Sequence, residues 1–201
     1  MSKADDLRSQ LIRSFATPDA SWSTFKREPH YESEGVRLAR GTAAKKLGMS
    51  VDIVPPGKRA CPYHFHYAEE EAFIVLEGSG TLRVAGEMLP IAAGDVIFIP
   101  PGPEYPHQIL NTSDAPLKYL SLSVNAELEI CEYPDSGKYL AMASGARGRD
   151  DTLLQDGRMH RTATDLDYWD GEPGVAPRAA ATKAPSSHQQ RRQRWRVRGP
   201  R

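Results

Sequence analysis

Short runs in which apolar and polar residues alternate occupy the middle of the chain. The apolar side chains of Leu47, Met49, Val51 and Ile53 recur at every second position, which is typical of a half-buried strand. Six similar runs follow, with turns rich in Gly, Pro, Asn and Asp between them, at residues 72–76, 81–84, 88–91, 96–99, 108–110 and 117–124. Many short strands without long helical patterns between them predict an antiparallel sandwich or barrel.

Both ends of the chain depart from this pattern. Leu7, Leu11, Ile12 and Phe15 recur at helical spacing, which predicts one short amphipathic helix near the start. The last residues are dominated by Ala, Pro, Gln, Ser and Arg and have little apolar surface to bury, as in disordered tails. The predicted division is a leader with a short helix, a β-barrel, an irregular segment that packs on the barrel and a disordered basic tail, at residues 1–33, 34–134, 135–173 and 174–201.

Composition adds a cellular setting and separates the tail from the rest. The 201 residues are 39% hydrophobic and 26% charged. They contain neither an apolar run of about 20 residues nor an apolar signal core, so we expect a soluble cytoplasmic protein that does not enter a membrane. Residues 178–201 contain eight basic and no acidic residues, and the remainder has a net charge of −8. We expect the basic run 191–198 to be solvated and not to bind nucleic acid, since no helix-turn-helix signal accompanies it.

The chemistry-bearing residues cluster at 62–71, where the chain reads PYHFHYAEEE. His64 and His66 are two positions apart, so on a strand both imidazoles point to the same face. A turn of four residues separates them from Glu71, which shares the alternation phase of the apolar Phe73. A third imidazole, His107, follows a Pro- and Gly-rich loop that begins a later strand. Three imidazoles and a carboxylate would form a borderline site that suits several first-row transition metals.

These two stretches resemble the paired motifs of the cupin superfamily. The first reads Gly57-x6-His64-x-His66-x4-Glu71-x6-Gly78 and the second reads Gly94-x5-Pro100-x-Gly102-x4-His107-x3-Asn111. The second has four residues between Gly102 and His107 where the family has two, and this departure lies in a loop. The resemblance implies an all-β double-stranded β-helix, a jelly-roll barrel with one divalent metal ion (Mn, Fe, Ni, Zn or Cu) at one end.

The resemblance also implies roles for individual residues. His64, His66 and His107 carry over as nitrogen ligands and Glu71 as the oxygen ligand, with Glu70 as the fallback carboxylate. Glu69 and Glu70 are expected in a solvated turn. Tyr63 and Tyr105 flank the motifs and are candidate acid–base groups, although aromatic packing at the barrel mouth is the favoured interpretation. Cys61 and Cys131 are interpreted as free, partly buried thiols, and Cys61 is not expected to be a ligand, since it points away from His64 on an extended chain. His30, His160 and His188 lie outside the motifs and are expected to be surface histidines.

Two functional hypotheses follow. The motif at 62–71, with CEYPDSGK at 131–138, resembles a bacterial single-domain cupin subgroup described as sugar-phosphate-isomerase-like. This resemblance implies a metal-dependent enzyme acting on a small polar molecule, and iron in the site would also suit a dioxygenase. The alternative is a non-catalytic small-molecule-binding cupin with a structural metal. We further expect a homodimer through the apolar stripe Ala72, Ile74 and Leu76, unless the leader covers it.

Overall fold

A computed structural model describes residues 2–16, 21–143 and 158–161, which form one helix and thirteen strands. In chain order these elements are α1 (Lys3–Leu11), β1 (Ser23–Arg27), β2 (Tyr31–Arg37), β3 (Leu47–Val54), β4 (Phe65–His66), β5 (Glu71–Glu77), β6 (Ser79–Val84), β7 (Glu87–Ala92), β8 (Val96–Ile99), β9 (His107–Leu110), β10 (Leu117–Val124), β11 (Leu128–Tyr133), β12 (Lys138–Ala143) and β13 (Arg158–Arg161).

The strands form three sheets in which every neighbouring pair is antiparallel. The largest has the order β1-β2-β3-β10-β5-β8, and two smaller ones have the orders β7-β6-β9 and β13-β12-β11-β4. His64 and His107 join the two smaller sheets by exchanging backbone hydrogen bonds of 3.1 and 2.7 Å. The non-sequential strand order of the large sheet is that of a jelly roll, so the predicted all-β barrel is confirmed.

The barrel core forms where the inward faces of these sheets meet. In β5, Phe73 and Val75 point inward and are buried, while Ala72, Ile74 and Leu76 lie on the outer face. The alternation predicted for this strand is therefore confirmed. The inward cluster draws on seven strands and contains Val54, Phe73, Val75, Leu82, Ile91, Ile99, Ile109, Leu117 and Tyr119.

The glycines of the two motifs lie at turns that require left-handed backbone. Gly57, Gly78, Gly94 and Gly102 have φ angles of 73, 82, 99 and 123°. At Gly78 a Cβ atom would also lie 2.4 Å from the carbonyl oxygen of Pro116. Only glycine fits here without strain, so this residue holds the β5–β6 turn tightly against the start of β10.

The N-terminal segment is more integrated than a leader. Helix α1 ends at Leu11 because Ile12 adopts an extended conformation, so the helix is shorter than the apolar spacing predicts. The β1–β2 hairpin then extends the large sheet from residue 23 onward. Phe15 and Trp22 pack against the buried cluster of Val36, Leu38 and Val51, as do Leu76 and Leu120.

The C-terminal segment also contains regular structure. Part of the stretch predicted to be irregular forms β12 and β13, which pair with each other, and β12 pairs with β11. For these residues the expectation of irregular structure is wrong. The proposed anchors Tyr168 and Trp169 and the basic tail 174–201 lie outside the described residues. Within the described part of the chain, no helix has the length and apolar character to cross a membrane.

Candidate metal centre

Three neighbouring elements bring the predicted ligands to one end of the barrel. His66 lies in β4, and His64 precedes that strand by one residue, so both imidazoles fall on the same face. Glu71 opens β5 and His107 opens β9. The backbone bridge between His64 and His107 holds these two strand ends together.

The side chains of these residues converge. Nε2 of His107 lies 2.9 Å from Oε2 of Glu71, and Nε2 of His66 lies 3.5 Å from the same oxygen. Ligand atoms of His64, Glu71 and His107 lie within 4.8 Å of one another. The ring of His66 is 5.0 Å from that of His64 and 6.3 Å from that of His107, between centroids. His66 therefore joins the group through Glu71 and through His64, since its ligand atoms also lie within 4.8 Å of those of His64.

Backbone carbonyls determine which nitrogens of two of these histidines carry hydrogen. Nδ1 of His64 lies 2.8 Å from the carbonyl oxygen of Pro62, and Nδ1 of His107 lies 3.2 Å from that of Tyr105. A carbonyl can only accept, so both Nδ1 atoms donate. In the neutral rings each Nε2 then carries a lone pair. The His107 lone pair faces a carboxylate oxygen at 2.9 Å, a contact that needs a proton or a cation between its two atoms.

Burial and charge set the protonation of the cluster. Burial, together with the nearby His107 and His66, lowers the pKa of His64 to about 3, so this ring is neutral near pH 7. Burial also opposes a charge on His66, but the carboxylates of Glu129 and Glu71 outweigh it and raise the pKa. Burial of Glu71 is likewise outweighed by His107 and the neighbouring rings, so the pKa of this carboxyl falls. The cluster thus combines an ionised carboxylate with electron-pair donors.

Residues of β11 line the site, and the sequence analysis missed their role. Ligand atoms of Cys131 lie within 4.8 Å of those of His64 and His66, and the Tyr133 ring stacks on His64. Oε1 of Glu129 lies 3.3 Å from Nδ1 of His66. The hydropathy of β11 gave no signal for this role, because Glu129 and Cys131 occupy the buried phase and the apolar Leu128 and Ile130 the exposed one.

The turn before Glu71 is only partly solvated. Glu70 is exposed as predicted, whereas Glu69 is 4% exposed and accepts a hydrogen bond from the backbone N–H of Ala126 at 3.0 Å. The expectation of a solvated Glu69 is therefore wrong, because the chain after β10 folds over this carboxylate. Glu69, Glu129 and His66 form a further group of close ligand atoms.

The remaining candidates lie around this cluster. The hydroxyl of Tyr63 accepts a hydrogen bond from the backbone N–H of Gly86 at 3.1 Å, and Arg83 lies over the ring at 3.7 Å. Tyr105 has an exposed side chain, and its carbonyl oxygen orients His107. Cys61 and Cys131 are free thiols, as predicted, and burial raises the pKa of both. His30 and His160 are exposed, whereas His188 lies outside the described residues.

The donor set fits a transition-metal ion. Both ring nitrogens of His66 are buried, and their contacts to the carboxylates of Glu129 at 3.3 Å and Glu71 at 3.5 Å fall short of full hydrogen-bond geometry. A buried imidazole without a well-formed hydrogen bond is costly, and a metal ion at one nitrogen would remove part of that cost. The imidazoles with one carboxylate match the ligand preferences of several first-row ions. The described residues thus include histidine and glutamate groups able to hold a metal ion.

Comparison with known proteins places part of the chain in a family. Residues 50–123 match the Cupin domain family. An uncharacterized protein of Methanocaldococcus jannaschii is 38% identical over 78 residues, which cover 39% of this chain and 60% of that protein. The oxalate-binding protein of Thermotoga maritima is 35% identical over 71 residues, covering 35% and 56% of the two chains. The matches therefore span less than two thirds of either relative.

Solved structures share the fold over more of the chain. A protein from Acidithiobacillus ferrooxidans, provisionally named a sugar phosphate isomerase, has a TM-score of 0.67 at 23% identity and covers 80% of this chain and 97% of its own. A sugar phosphate isomerase of the cupin superfamily from Silicibacter pomeroyi has a TM-score of 0.57 at 21% identity, covering 68% and 81%. At these identities the likeness is one of fold. With both motifs in their expected places on a jelly roll, residues 50–123 are similar to the Cupin domain family, and a larger part of the chain shares the fold of these solved structures.

Proposed function

We propose that His64, His66, Glu71 and His107 bind one divalent transition-metal ion and that this centre makes the chain a metal-dependent enzyme acting on a small polar molecule. The observation that carries the proposal is the approach of two imidazole Nε2 atoms to one oxygen of Glu71, at 2.9 and 3.5 Å. Such contacts need a proton or a cation between the paired atoms, and three imidazoles with one carboxylate match the ligand preferences of first-row ions.

The protein provides an oriented ligand set for such an ion. Pro62 and Tyr105 hold the Nδ1 hydrogens of His64 and His107, which leaves each Nε2 as the donor atom. Glu71 supplies the anionic oxygen. When bound, a divalent ion at this position would act as a Lewis acid on a carbonyl or hydroxyl oxygen of the substrate. Mn, Fe, Ni and Zn all suit these ligands.

The proton transfer in such a reaction requires a second group, and the contacts favour Tyr105 over Tyr63. The Tyr63 hydroxyl accepts a hydrogen bond from the Gly86 turn and the ring lies beneath Arg83, so this side chain acts best as a wall. The Tyr105 side chain is exposed and lies two residues before His107. Its hydroxyl can exchange protons with solvent, as a general acid or base must.

The reaction class rests on likeness of fold. Two similar structures bear the name sugar phosphate isomerase, which supports metal-assisted proton transfer next to a carbonyl as the first hypothesis. An iron-loaded site would equally support a dioxygenase. The alternative is a non-catalytic cupin that binds a small molecule around a structural metal, and the relative named oxalate-binding protein favours it.

Metal analysis of freshly purified protein, followed by reloading of the metal-free protein with Mn, Fe, Ni and Zn, tests the proposal. We expect about one ion per chain. The H107Q variant should lose more than roughly tenfold in affinity, since even outer-shell changes cost 10–100-fold. The matched control is H30Q, which alters an exposed histidine. Failure of every ion to bind would refute the metal centre.

Activity measurements then separate the functional hypotheses. Turnover of phosphorylated aldoses or ketoses by the loaded protein would support the isomerase, and oxygen consumption by the iron form with a candidate substrate would support the dioxygenase. Saturable binding of small carboxylic acids without turnover would support the binding protein.

A further inference from the structure

We propose that Glu129 is a positioning residue that holds the His66 imidazole in its metal-binding orientation. This inference rests on the proposed metal centre and adds a residue of β11, which lies beyond the matched cupin domain. No motif of the sequence analysis includes Glu129, and its role follows from contacts in the fold.

The backbone brings Glu129 to the site by strand pairing. Strand β4 contains two residues, and both pair with β11, with Cys131 opposite His66 and Glu132 opposite Phe65. The N–H of Tyr67 continues this ladder by donating to the carbonyl oxygen of Ile130 at 3.0 Å. His66 is therefore anchored to β11, and Glu129, in the same buried phase as Cys131, points to the same side.

Three backbone donors lock the Glu129 carboxylate. Oε1 accepts from the N–H of Tyr67 at 3.0 Å, a donor shared with the Ile130 carbonyl oxygen, and Oε2 accepts from the N–H groups of Ala68 and Glu69 at 3.1 and 2.8 Å. The side chain is only 1% exposed. A carboxylate held this way has little freedom to rotate, so it can serve as a rigid reference for a neighbouring ring.

The Glu129 carboxylate lies where it can fix the orientation of the His66 imidazole. Nδ1 of His66 lies 3.3 Å from Oε1 of Glu129, and Nε2 on the other side of the ring lies 3.5 Å from Glu71. The Pro62 and Tyr105 carbonyls orient the other two imidazoles, whereas Nδ1 of His66 faces the carboxylate of Glu129 in place of a backbone carbonyl. The negative charge of Glu129 favours the hydrogen on Nδ1, which leaves the Nε2 lone pair directed at Glu71 and the centre.

A double-mutant cycle with Co²⁺ as the probe tests this role. Affinity is measured by chelator competition, and the visible spectrum of the bound ion reports its ligand geometry. We expect E129Q to weaken Co²⁺ binding by about 10–100-fold and to alter the spectrum, as outer-shell changes do. In an H66Q background the same change should cost less than about twofold, because residues that act as a unit are not additive. E132Q, on the same strand, is the matched control and should bind like wild type.

The alternative outcomes are distinguishable. An E129Q loss that persists in full in the H66Q background would overturn the proposal, because Glu129 would then act as a direct ligand or through the 67–69 turn. Wild-type affinity in E129Q would also overturn it. Absence of Co²⁺ binding by the wild-type protein would refute the metal centre itself. If E129Q does not fold, E129D keeps the charge but withdraws it by one methylene, and it should show an intermediate loss that H66Q abolishes.

Discussion

The ring of Tyr133 lies against the imidazole of His64, with centroids 6.0 Å apart and planes inclined by 27°. The hairpin that contains Tyr133 is held to the barrel by Arg83, which contacts both carboxylate oxygens of Asp135 at 2.6 and 2.9 Å. This hairpin is the CEYPDSGK stretch that the sequence analysis associated with a cupin subgroup. Its structural role is to cover one side of the candidate site and to help exclude water from His64.

Because His64 is buried, the stability of the metal-free protein should depend on pH. The pKa of His64 is about 3 in the folded state, whereas an ordinary histidine has a pKa of about 6.5. Below about pH 6.5 only the unfolded chain binds this proton, so the free energy of unfolding decreases as the pH is lowered. The pKa of His66 is raised, so its contribution is present below about pH 6.5 and is lost as the pH rises through the folded value. We expect maximal stability near pH 6.5 in urea unfolding, with a shallower acid limb in H64Q than in H160Q. A maximum below pH 5 would contradict the assignment.

Metal binding should also weaken in acid. Ligation needs neutral imidazoles, and the raised pKa of His66 means that protons compete with the metal from a higher pH than at an ordinary histidine. Occupancy in equilibrium dialysis with Zn²⁺ should therefore fall steadily between about pH 7 and 5. Occupancy that stays constant down to about pH 4 would show that the histidines are not the ligands.

The close approach at Gly78 predicts a specific cost for a side chain. G78A adds a Cβ 2.4 Å from the Pro116 carbonyl oxygen at a residue with φ of 82°, and it should destabilise the protein by roughly 2 kcal/mol or more. G86A is the matched control, because Gly86 has a similar φ of 88° and open space around its Cα. Chemical unfolding should show a larger loss for G78A, and equal losses would mean that the turn relaxes freely.

The homodimer stays a prediction, and the exposed part of the outer face of the large sheet is the surface through which we expect it to form. Phe15 and Trp22 pack near Leu76, whereas Phe98 on the edge strand β8 is 70% exposed and lies opposite Ala72. A homodimer through the outer face would bury this end of the sheet. In sedimentation at tens of micromolar we expect wild-type dimers, which F98K should dissociate and the control M88K, on the other sheet, should leave intact. A monomeric wild type would refute the dimer.

The alternation of side chains predicted most of the barrel but little of its surroundings. Strands β8 and β10 have the bounds expected from their apolar runs, because one face of each packs on the core. The β1–β2 hairpin was missed because Ser23–Arg27 is exposed throughout and Tyr31–Arg37 carries few apolar residues. Such strands form because a neighbouring sheet edge offers backbone hydrogen bonds, and a hydropathy pattern does not record that.

For the candidate metal centre, too, some residues could be predicted from the sequence and others could not. The spacing of His64 and His66 and the alternation phase of Glu71 predicted that these side chains face the same way, and the second motif added His107. Glu129 was missed because Leu128, at 73% exposure, has its hydrophobic side chain on the outside of β11 while the carboxylate lies inside. Burying a carboxylate while the adjacent leucine stays exposed is the opposite of what the free energies of transfer from water favour. It becomes favourable only once three backbone N–H groups from a turn 60 residues earlier surround the carboxylate.

The pairing of β4 with β11 shows that the candidate metal centre uses residues beyond the segment that contains its four candidate ligands. A fragment limited to residues 50–123 would keep all four candidate ligands, yet it would lose the strand that pairs with β4 and the carboxylate beside His66. The boundary drawn by family resemblance and the boundary of the assembled centre thus differ. Changes in the later segment could retune the chemistry of the centre while every motif residue stays the same.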